Sequence, residues 1–222
     1  MAERNRVTPF GEIDAIDQRG LFLGNRGCIH RGREIVRPWQ VRRWIICALT
    51  YKGWRAPMWE AGRWTPLFFW DEAVALAAGH RPCALCRYSD FRRWMDGWET
   101  ATGSRPKVDP VDRILHDERL GPDRAKRVHR LPWHDLPDGT FAAVNGAPHL
   151  VFGDRLIPWR AAAEAYGAPS ARPRTGRATV LTPPSTVAVL RAGYEPVLHP
   201  SLVLGEARQI RVRVGGPTSG RR

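Results

Sequence analysis

The sequence has no long hydrophobic run and very little lysine. No stretch of about 18 or more apolar residues occurs in it, so we expect no membrane-spanning helix. The segment from residue 1 to residue 14 contains no continuous apolar stretch, so we expect no secretory signal and a cytoplasmic protein. The GxSxG, phosphate-binding glycine-loop and HExxH motifs are also missing, so none of the enzyme classes that use them is indicated.

The composition is that of an ordinary globular protein with a large excess of arginine. Hydrophobic residues make up 43% and charged residues 26% of the sequence. The length of 222 residues is enough for one large domain or two small ones. The formal net charge is +13, and only three of the 35 basic residues are lysines. A charge of this size favours polyanionic partners, nucleic acid above all. Codon usage in a GC-rich genome is the alternative source of the arginines.

Cysteine and tryptophan are concentrated in the first half of the chain. All four cysteines occur by residue 86, and eight of the ten tryptophans by residue 98. We therefore expect two modules joined near the polar segment 102–110, which contains glycine and two prolines. The expected division is an N-terminal extension (1–22), a cysteine-rich module (23–106), a second module (107–214) and a disordered basic tail (215–222).

The first module shows strand and helix signals in alternation. Apolar residues at 42–51 and 65–70 predict two strands. Asp71 is a good N-cap for an alanine-rich helix, and Gly79 is a natural stop for it. A second helix is predicted around Phe91, Trp94 and Trp98, which share one face at this spacing.

The second module reads as a small β-meander with helices against it. Asn145-Gly146 is a strong signal for a tight hairpin turn. We predict helices at 110–120, 123–129 and 185–193, and strands at 140–144, 149–152, 155–159, 178–181 and 209–214. The predicted fold class is therefore α+β.

Cys83 and Cys86 form the sharpest local motif, a CxxC pair. Two thiolates three positions apart on a tight turn can face one tetrahedral zinc ion. Cys28 and Cys47 are the only other cysteines, and His30 and His80 are reserve ligands. The alternatives are a redox pair, for which the expected βαβ pattern is not seen, and thiols buried in the core.

Residues 67–86 resemble the zinc-binding module at the N terminus of the Ada DNA-repair proteins, and the likeness extends loosely over 25–90. In that family an aromatic pair precedes an alanine-rich helix that ends in Ala-Ala-Gly, followed by Arg-Pro-Cys-x-x-Cys. This chain has aromatic residues at 68–70, Ala77-Ala78-Gly79, and Arg81-Pro82-Cys83-x-x-Cys86. His80 stands where the family usually has an apolar residue.

The resemblance implies an Ada-like zinc module that contacts DNA phosphates through a small mixed domain. It implies a zinc ion held by four cysteines, and Cys83 and Cys86 match the family's second ligand pair. Cys47 lies in the region of the first pair but has no partner at the family's spacing. Cys28 would then have to fold back to supply the fourth thiolate, so the expected metal ligands are Cys28, Cys47, Cys83 and Cys86.

A basic and aromatic surface is the second candidate site. Residues 25–55 hold eight basic residues against one acid, and Trp39, Trp44 and Trp54 lie among them. Arginine binds phosphate and aromatic rings stack on unpaired bases, although such tryptophans also build cores. The expected nucleic-acid contacts are Arg26, Arg31, Arg33, Arg42, Arg43, Lys52, Arg87, Arg92 and Arg93.

These features together predict a zinc-binding protein that binds nucleic acid, DNA in the first place, in repair or modification. One alternative is an enzyme acting on nucleic acid, hydrolase or glycosylase in type, with a structural zinc. Its chemistry would use His116, His134 or His199 with Asp117 or Asp135. The other alternative is a zinc-stabilised module for protein interaction.

Overall fold

The computed structural model describes residues 2–202 and is a mixed α+β fold, as predicted. The helices are α1 (Glu72–Ala77), α2 (Tyr88–Thr102), α3 (Val108–Arg119) and α4 (Pro184–Arg191). The strands are β1 (Arg4–Val7), β2 (Ile13–Ala15), β3 (Phe22–Asn25), β4 (His30–Arg31), β5 (Glu34–Ile35), β6 (Ile45–Cys47), β7 (Leu67–Phe69), β8 (Arg81–Pro82), β9 (His129–Pro132), β10 (Phe141–Val144), β11 (Ala147–Phe152), β12 (Arg155–Pro158), β13 (Ser170–Ala171) and β14 (Arg177–Val180). None of the helices within these residues is long and apolar enough to cross a membrane.

The first sheet contains the cysteine-bearing strand and has the order β2-β1-β7-β3-β6-β8. Strand β3 is antiparallel to both β6 and β7, whereas β6 and β8 are parallel. The expected N-terminal extension is part of this sheet, because β1 pairs with β7 and β2 covers the edge. A separate hairpin of β4 and β5 follows β3 in the chain.

Helix α1 begins and ends where the sequence predicts. The Asp71 side chain accepts a hydrogen bond from the Val74 backbone nitrogen at 3.0 Å, which caps the N terminus. Gly79 follows the helix with φ of +88°, and a Cβ there would lie 2.6 Å from the Arg119 side chain. Glycine is therefore required at this position for both its backbone conformation and its small size.

The second sheet has the order β13-β12-β11-β10-β14-β9 and contains the predicted meander. Asn145 and Gly146 have φ of +50° and +78° and connect β10 to β11, as the Asn-Gly signal predicts. The helix predicted at 123–129 is wrong. Arg124 has φ of +65°, which a right-handed helix does not allow, and the chain there forms a turn closed by an isolated bridge between Leu120 and Lys126. The strand predicted at 209–214 and the tail at 215–222 lie outside the described residues.

Within residues 2–202, one of three clusters of buried apolar residues contacts both sheets. It includes Phe69 of the first sheet, Phe141 of the second, all apolar residues of α1, and Trp94 and Trp98 of α2. The expected boundary between residues 106 and 107 falls in the connection from α2 to α3. The two predicted modules therefore pack on shared residues.

A buried ion pair links the first sheet to helix α3. Arg81 of β8 donates from Nε and Nη2 to the two carboxylate oxygens of Asp112, each at 2.8 Å. The side chains are only 2% and 6% exposed. Paired hydrogen bonds of this kind satisfy both charges and fix the helix against the strand.

We predict that Asp112→Ala destabilises the protein by about 3–5 kcal/mol, because it leaves the Arg81 guanidinium buried and unpaired. The measurement is the free energy of unfolding in urea. Asp154→Ala is the matched control. That carboxylate is exposed beside Arg155, and its loss should change stability by less than about 1 kcal/mol. Equal small effects of the two substitutions would contradict the structural role of the pair.

Candidate metal centre

Three cysteines meet at one end of the first sheet. Cys47 is the last residue of β6, and Cys83 follows β8 directly. The parallel pairing of Ile46 with Pro82, together with a hydrogen bond from the Cys83 nitrogen to the Ile46 oxygen at 2.9 Å, places them side by side. The sulfur atoms of Cys47, Cys83 and Cys86 all lie within 4.8 Å of one another.

Backbone amides point at two of these sulfur atoms. The Leu85 nitrogen donates to Sγ of Cys83, and the Ala48 nitrogen donates to Sγ of Cys86, both at 3.4 Å. Donors of this kind stabilise the thiolate form over the thiol. They also orient the sulfurs, as outer hydrogen bonds do around a bound metal ion.

The close approach of the sulfurs shifts their titration. The pKa of Cys83 is lowered because the Cys47 and Cys86 thiols both donate hydrogen bonds to its sulfur. The pKa of Cys47 is raised, first by its hydrogen bond with Cys83 and then by that with Cys86 and by burial. A lowered thiol pKa favours the thiolate, which is the form of cysteine that binds a metal ion.

The cluster is half enclosed by apolar side chains. Cys47 and Cys83 are buried and pack with Leu23, while Trp64 and Phe68 cover them and Cys86 is half-buried. Within residues 2–202, no fourth histidine, cysteine or carboxylate joins the group. The three cysteines could hold a metal ion, and in such sites a water or substrate atom takes the fourth position.

Cys28 does not join the cluster, which corrects the expected four-cysteine set. Its sulfur contacts the His30 oxygen at 4.0 Å. The register of the sheet explains the separation, because Cys47 pairs with Leu23 while Cys28 lies five residues further along. At about 3.3 Å per residue, that is up to about 16 Å away.

Neither reserve histidine is a ligand of this cluster. The His30 ring contacts the Thr65 hydroxyl at 2.6 Å and the Glu60 oxygen at 3.2 Å, so both nitrogens are engaged. His80 is fully buried and accepts from Nε of Arg26 at 3.1 Å. Its pKa is lowered, first by burial and then by Arg26 and Arg119, so it stays neutral there.

Two of the predicted phosphate contacts are buried and require correction. Arg26 is 1% exposed, and its guanidinium lies 3.9 Å from the centre of the Trp44 ring. Arg87 is also buried, where it pairs with Glu72 at 2.9 Å and with Asp90. Their side chains hold the fold together and do not face solvent.

The other predicted contacts reach the surface to different degrees. Arg93 is half-buried and pairs with Asp90, and exposed Arg33 pairs with Glu3. The remaining exposed ones are Arg31, Arg42, Arg43, Lys52 and Arg92. Arg42 and Arg43 precede β6, and Lys52 follows it in the turn between Tyr51 and Trp54, so basic residues flank the strand that ends in Cys47.

The candidate catalytic histidines are not assembled into one site. His116 contacts Arg119, and exposed His134 lies 3.4 Å from Asp135. The His199 ring stacks on Trp70 and bonds to Ser201. The sequence interpretation missed Trp64 and Phe68 as neighbours of the cysteines, although Phe68 lies in a predicted strand. Their contact depends on strand pairing and not on a local motif.

Comparisons with protein-family models, with curated proteins and with solved structures gave no match to this chain. The resemblance to the Ada module therefore depends on the quoted residues alone. The protein has a mixed α+β fold with a cluster of three cysteines that could bind a metal ion.

We predict that the purified protein contains about one tightly bound metal ion per chain, and that Cys47→Ser, Cys83→Ser and Cys86→Ser each lower this content strongly. Elemental analysis after exhaustive dialysis measures it. Cys28→Ser is the matched control and should keep the wild-type metal content, because its sulfur lies outside the cluster. A metal-free wild type, or equal loss in Cys28→Ser, would show that the assignment of these ligands is wrong.

Proposed function

We propose that this protein binds one zinc ion through Cys47, Cys83 and Cys86 and uses the basic, aromatic surface around it to bind nucleic acid. The cysteine cluster is the observation that supports this most strongly. DNA is the first candidate, in a repair or modification setting, because that is what the resemblance to Ada implies.

Zinc is the metal that best suits the ligands. Thiolates are soft ligands that select zinc over magnesium or calcium. Tetrahedral coordination with Zn–S bonds near 2.3 Å separates sulfur atoms by about 3.8 Å. The three sulfurs already lie within 4.8 Å of one another, so small rotations would suffice. A third sulfur at this distance suits a metal site and has no role in a simple dithiol pair.

Nucleic-acid binding is supported by the side chains on both sides of β6. Exposed Arg42 and Arg43 precede the strand, and exposed Lys52 and Arg55 follow it, with no acid between residues 42 and 55. Trp54 lies between the two later cations and is 53% exposed. Proteins that bind single-stranded nucleic acid combine cations, which contact the phosphates, with exposed aromatic rings, which stack on the bases.

A protein-interaction module is the second candidate, and exposed apolar side chains favour it. Leu85 lies between Cys83 and Cys86 and is 68% exposed, and Tyr88 is 55% exposed at the start of α2. Leu49, two residues after Cys47, is exposed as well. Exposed apolar residues grouped around one centre are typical of contact surfaces.

We predict that Arg42→Ala/Arg43→Ala weakens DNA binding and lowers its salt dependence. A plot of log affinity against log salt concentration has a negative slope, and for duplex DNA each lost phosphate contact makes it less steep by about 0.9. The slope of the double variant should therefore be less steep than that of the wild type by about 1.8. The measurement is fluorescence anisotropy of labelled duplex and single-stranded DNA at two salt concentrations.

The control is Arg155→Ala/Arg174→Ala, which removes the same charge from exposed positions of the second sheet and its loop. It should keep the wild-type slope. A wild-type protein that contains zinc but has no salt-dependent affinity for DNA would refute the nucleic-acid proposal. It would favour the interaction module instead.

A further inference from the structure

A cleft of about 370 Å³ lies beside the C-terminal end of α3, apart from the cysteine cluster. One wall comes from residues 120–127, and Trp39 of the cysteine-rich half contributes the other. The lining residues that matter most are Trp39, His116, Asp117, Gly121, Arg124 and Arg127. Its volume lies in the range of small-molecule sites and suits one nucleotide.

Trp39 is a fixed aromatic platform in this cleft. Its half-buried ring packs edge-on against the His116 ring at 5.5 Å and at a tilt against the Trp44 ring at 6.2 Å. The Arg124 guanidinium lies 5.7 Å from the centre of the Trp39 ring. An indole next to an arginine is a combination that can stack on a base and contact its phosphate.

Arg124 adopts a backbone conformation that glycine would adopt more easily. Its φ is +65°, in a turn closed by hydrogen bonds between Gly121 and Arg124 at 3.0 Å and between Gly121 and Ala125 at 2.9 Å. A side chain at positive φ costs about 1–2 kcal/mol for a residue other than glycine. Glycine at this position would therefore keep the turn while removing the arginine side chain.

The floor of the cleft is polar and its surroundings are cationic. Arg119 donates from Nη2 to Nδ1 of His116 at 2.8 Å, and arginine can only donate. His116 must therefore keep its hydrogen on Nε2, which makes that atom a donor. Arg119 is itself 1% exposed and bonds to the backbone oxygens of Gly79 and Arg42.

Among the described residues, three buried basic side chains near the cleft are not held in ion pairs. Arg26, Arg119 and Lys126 form no ion pair within residues 2–202. In the cleft lining, Arg124 and Arg127 outweigh the single acid, Asp117. The cleft therefore favours an anion.

From this geometry we infer that the cleft binds one nucleoside monophosphate, with its base on Trp39 and its phosphate between Arg124 and Arg127. His116 also lines the cleft, and its Nε2 hydrogen would be a further donor to the same ligand. The nucleotide is either free in solution or one unit of a single strand. The second source rests on the proposed nucleic-acid function, whereas the first does not.

The test is isothermal titration calorimetry of the full chain with deoxyadenosine monophosphate, deoxyadenosine and a short single-stranded oligodeoxyadenylate. We expect one monophosphate per chain and a nucleoside bound at least about tenfold more weakly, because hydrogen bonds to charged groups contribute about 1.5–3 kcal/mol. Trp39→Ala should weaken binding by about fivefold or more through lost stacking. Trp39→Phe should keep much of the wild-type affinity, because phenylalanine can still stack on a base. This comparison separates the loss of stacking from a folding defect.

Arg124→Gly is the sharpest variant. It should bind the monophosphate at least about tenfold more weakly and melt no lower than the wild type, because glycine relieves the strained turn. Arg174→Ala, an exposed arginine in the loop before β14, should change neither property. Unaltered monophosphate affinity in Arg124→Gly would overturn the inference, as would absence of monophosphate binding to the wild type.

The oligonucleotide distinguishes failure of the two proposals. Monophosphate binding that is lost in Arg124→Gly, without oligonucleotide binding, supports the cleft and a free nucleotide while refuting the nucleic-acid function. Oligonucleotide binding that is weakened by Arg42→Ala/Arg43→Ala but not by Arg124→Gly supports the nucleic-acid function and shows that the strand does not use the cleft; the cleft itself is then refuted if Arg124→Gly also leaves monophosphate affinity unchanged. If Arg124→Gly loses binding of both the monophosphate and the oligonucleotide, the cleft is supported as one subsite of the surface that binds single-stranded nucleic acid.

Discussion

Helix α1 has only six residues and every one of them is buried, so water cannot satisfy the hydrogen-bonding groups at its ends. Other groups of the protein do so instead. At the N terminus, the Glu72 nitrogen donates to the Val197 oxygen at 3.0 Å, and the Val74 nitrogen donates to the Asp71 carboxylate. The Asp71 and Glu72 carboxylates are in turn held by the hydroxyls of Tyr166 at 2.6 Å and Tyr194 at 2.7 Å. At the C terminus, Arg119 donates to the Gly79 oxygen, and Lys126 donates to that of Ala77. Apart from Asp71, these partners all come from the second half of the chain, so they tie this short helix of the first half to the second half.

Two arginines lie inside the molecule against one tryptophan ring. Arg26 and Arg119 each lie 3.9 Å from the centre of the Trp44 ring, which offers its π-face to both cations. Burial lowers the pKa of Arg26 to about 9. The pKa of Lys126 is lowered to about 7 by burial and then by Arg119 and Arg26. Part of the net charge of +13 therefore lies inside the fold and cannot contact a polyanion directly.

Local signals in the sequence predicted local structure well. The Asp71 cap, the Gly79 stop and the Asn145-Gly146 turn each depend on one or two residues and their own backbone. The CxxC pair and the nearness of Cys47 were predicted as well, since all three cysteines occur in the cluster. These local motifs did not predict where in the first sheet the three cysteines lie.

Cys28 and Arg26 show why the rest could not be predicted. Cys28 follows the strand next to β6, but the antiparallel register moves it away from Cys47. Arg26 looked like a surface residue in a run of arginines, whereas its contacts with Trp44 and His80 form only when β3, β6 and β8 align. Pairing register and burial are properties of the whole chain, so a residue type and its neighbours in sequence do not determine them.

The cysteine cluster connects to helix α1 through Arg87, and this connection relates the metal centre to the fold. Arg87 follows Cys86, pairs with buried Glu72 and precedes α2. Ala48, after Cys47, donates to the Cys86 sulfur. A metal ion bound by the three sulfurs would therefore join β6 to the start of α2, next to an ion pair at the N terminus of α1. Binding free energy at such a site adds to the stability of the folded state. It would also fix the C-terminal end of β6, which Lys52 and Arg55 follow, so metal binding and the surface proposed to bind nucleic acid would be coupled through this one strand.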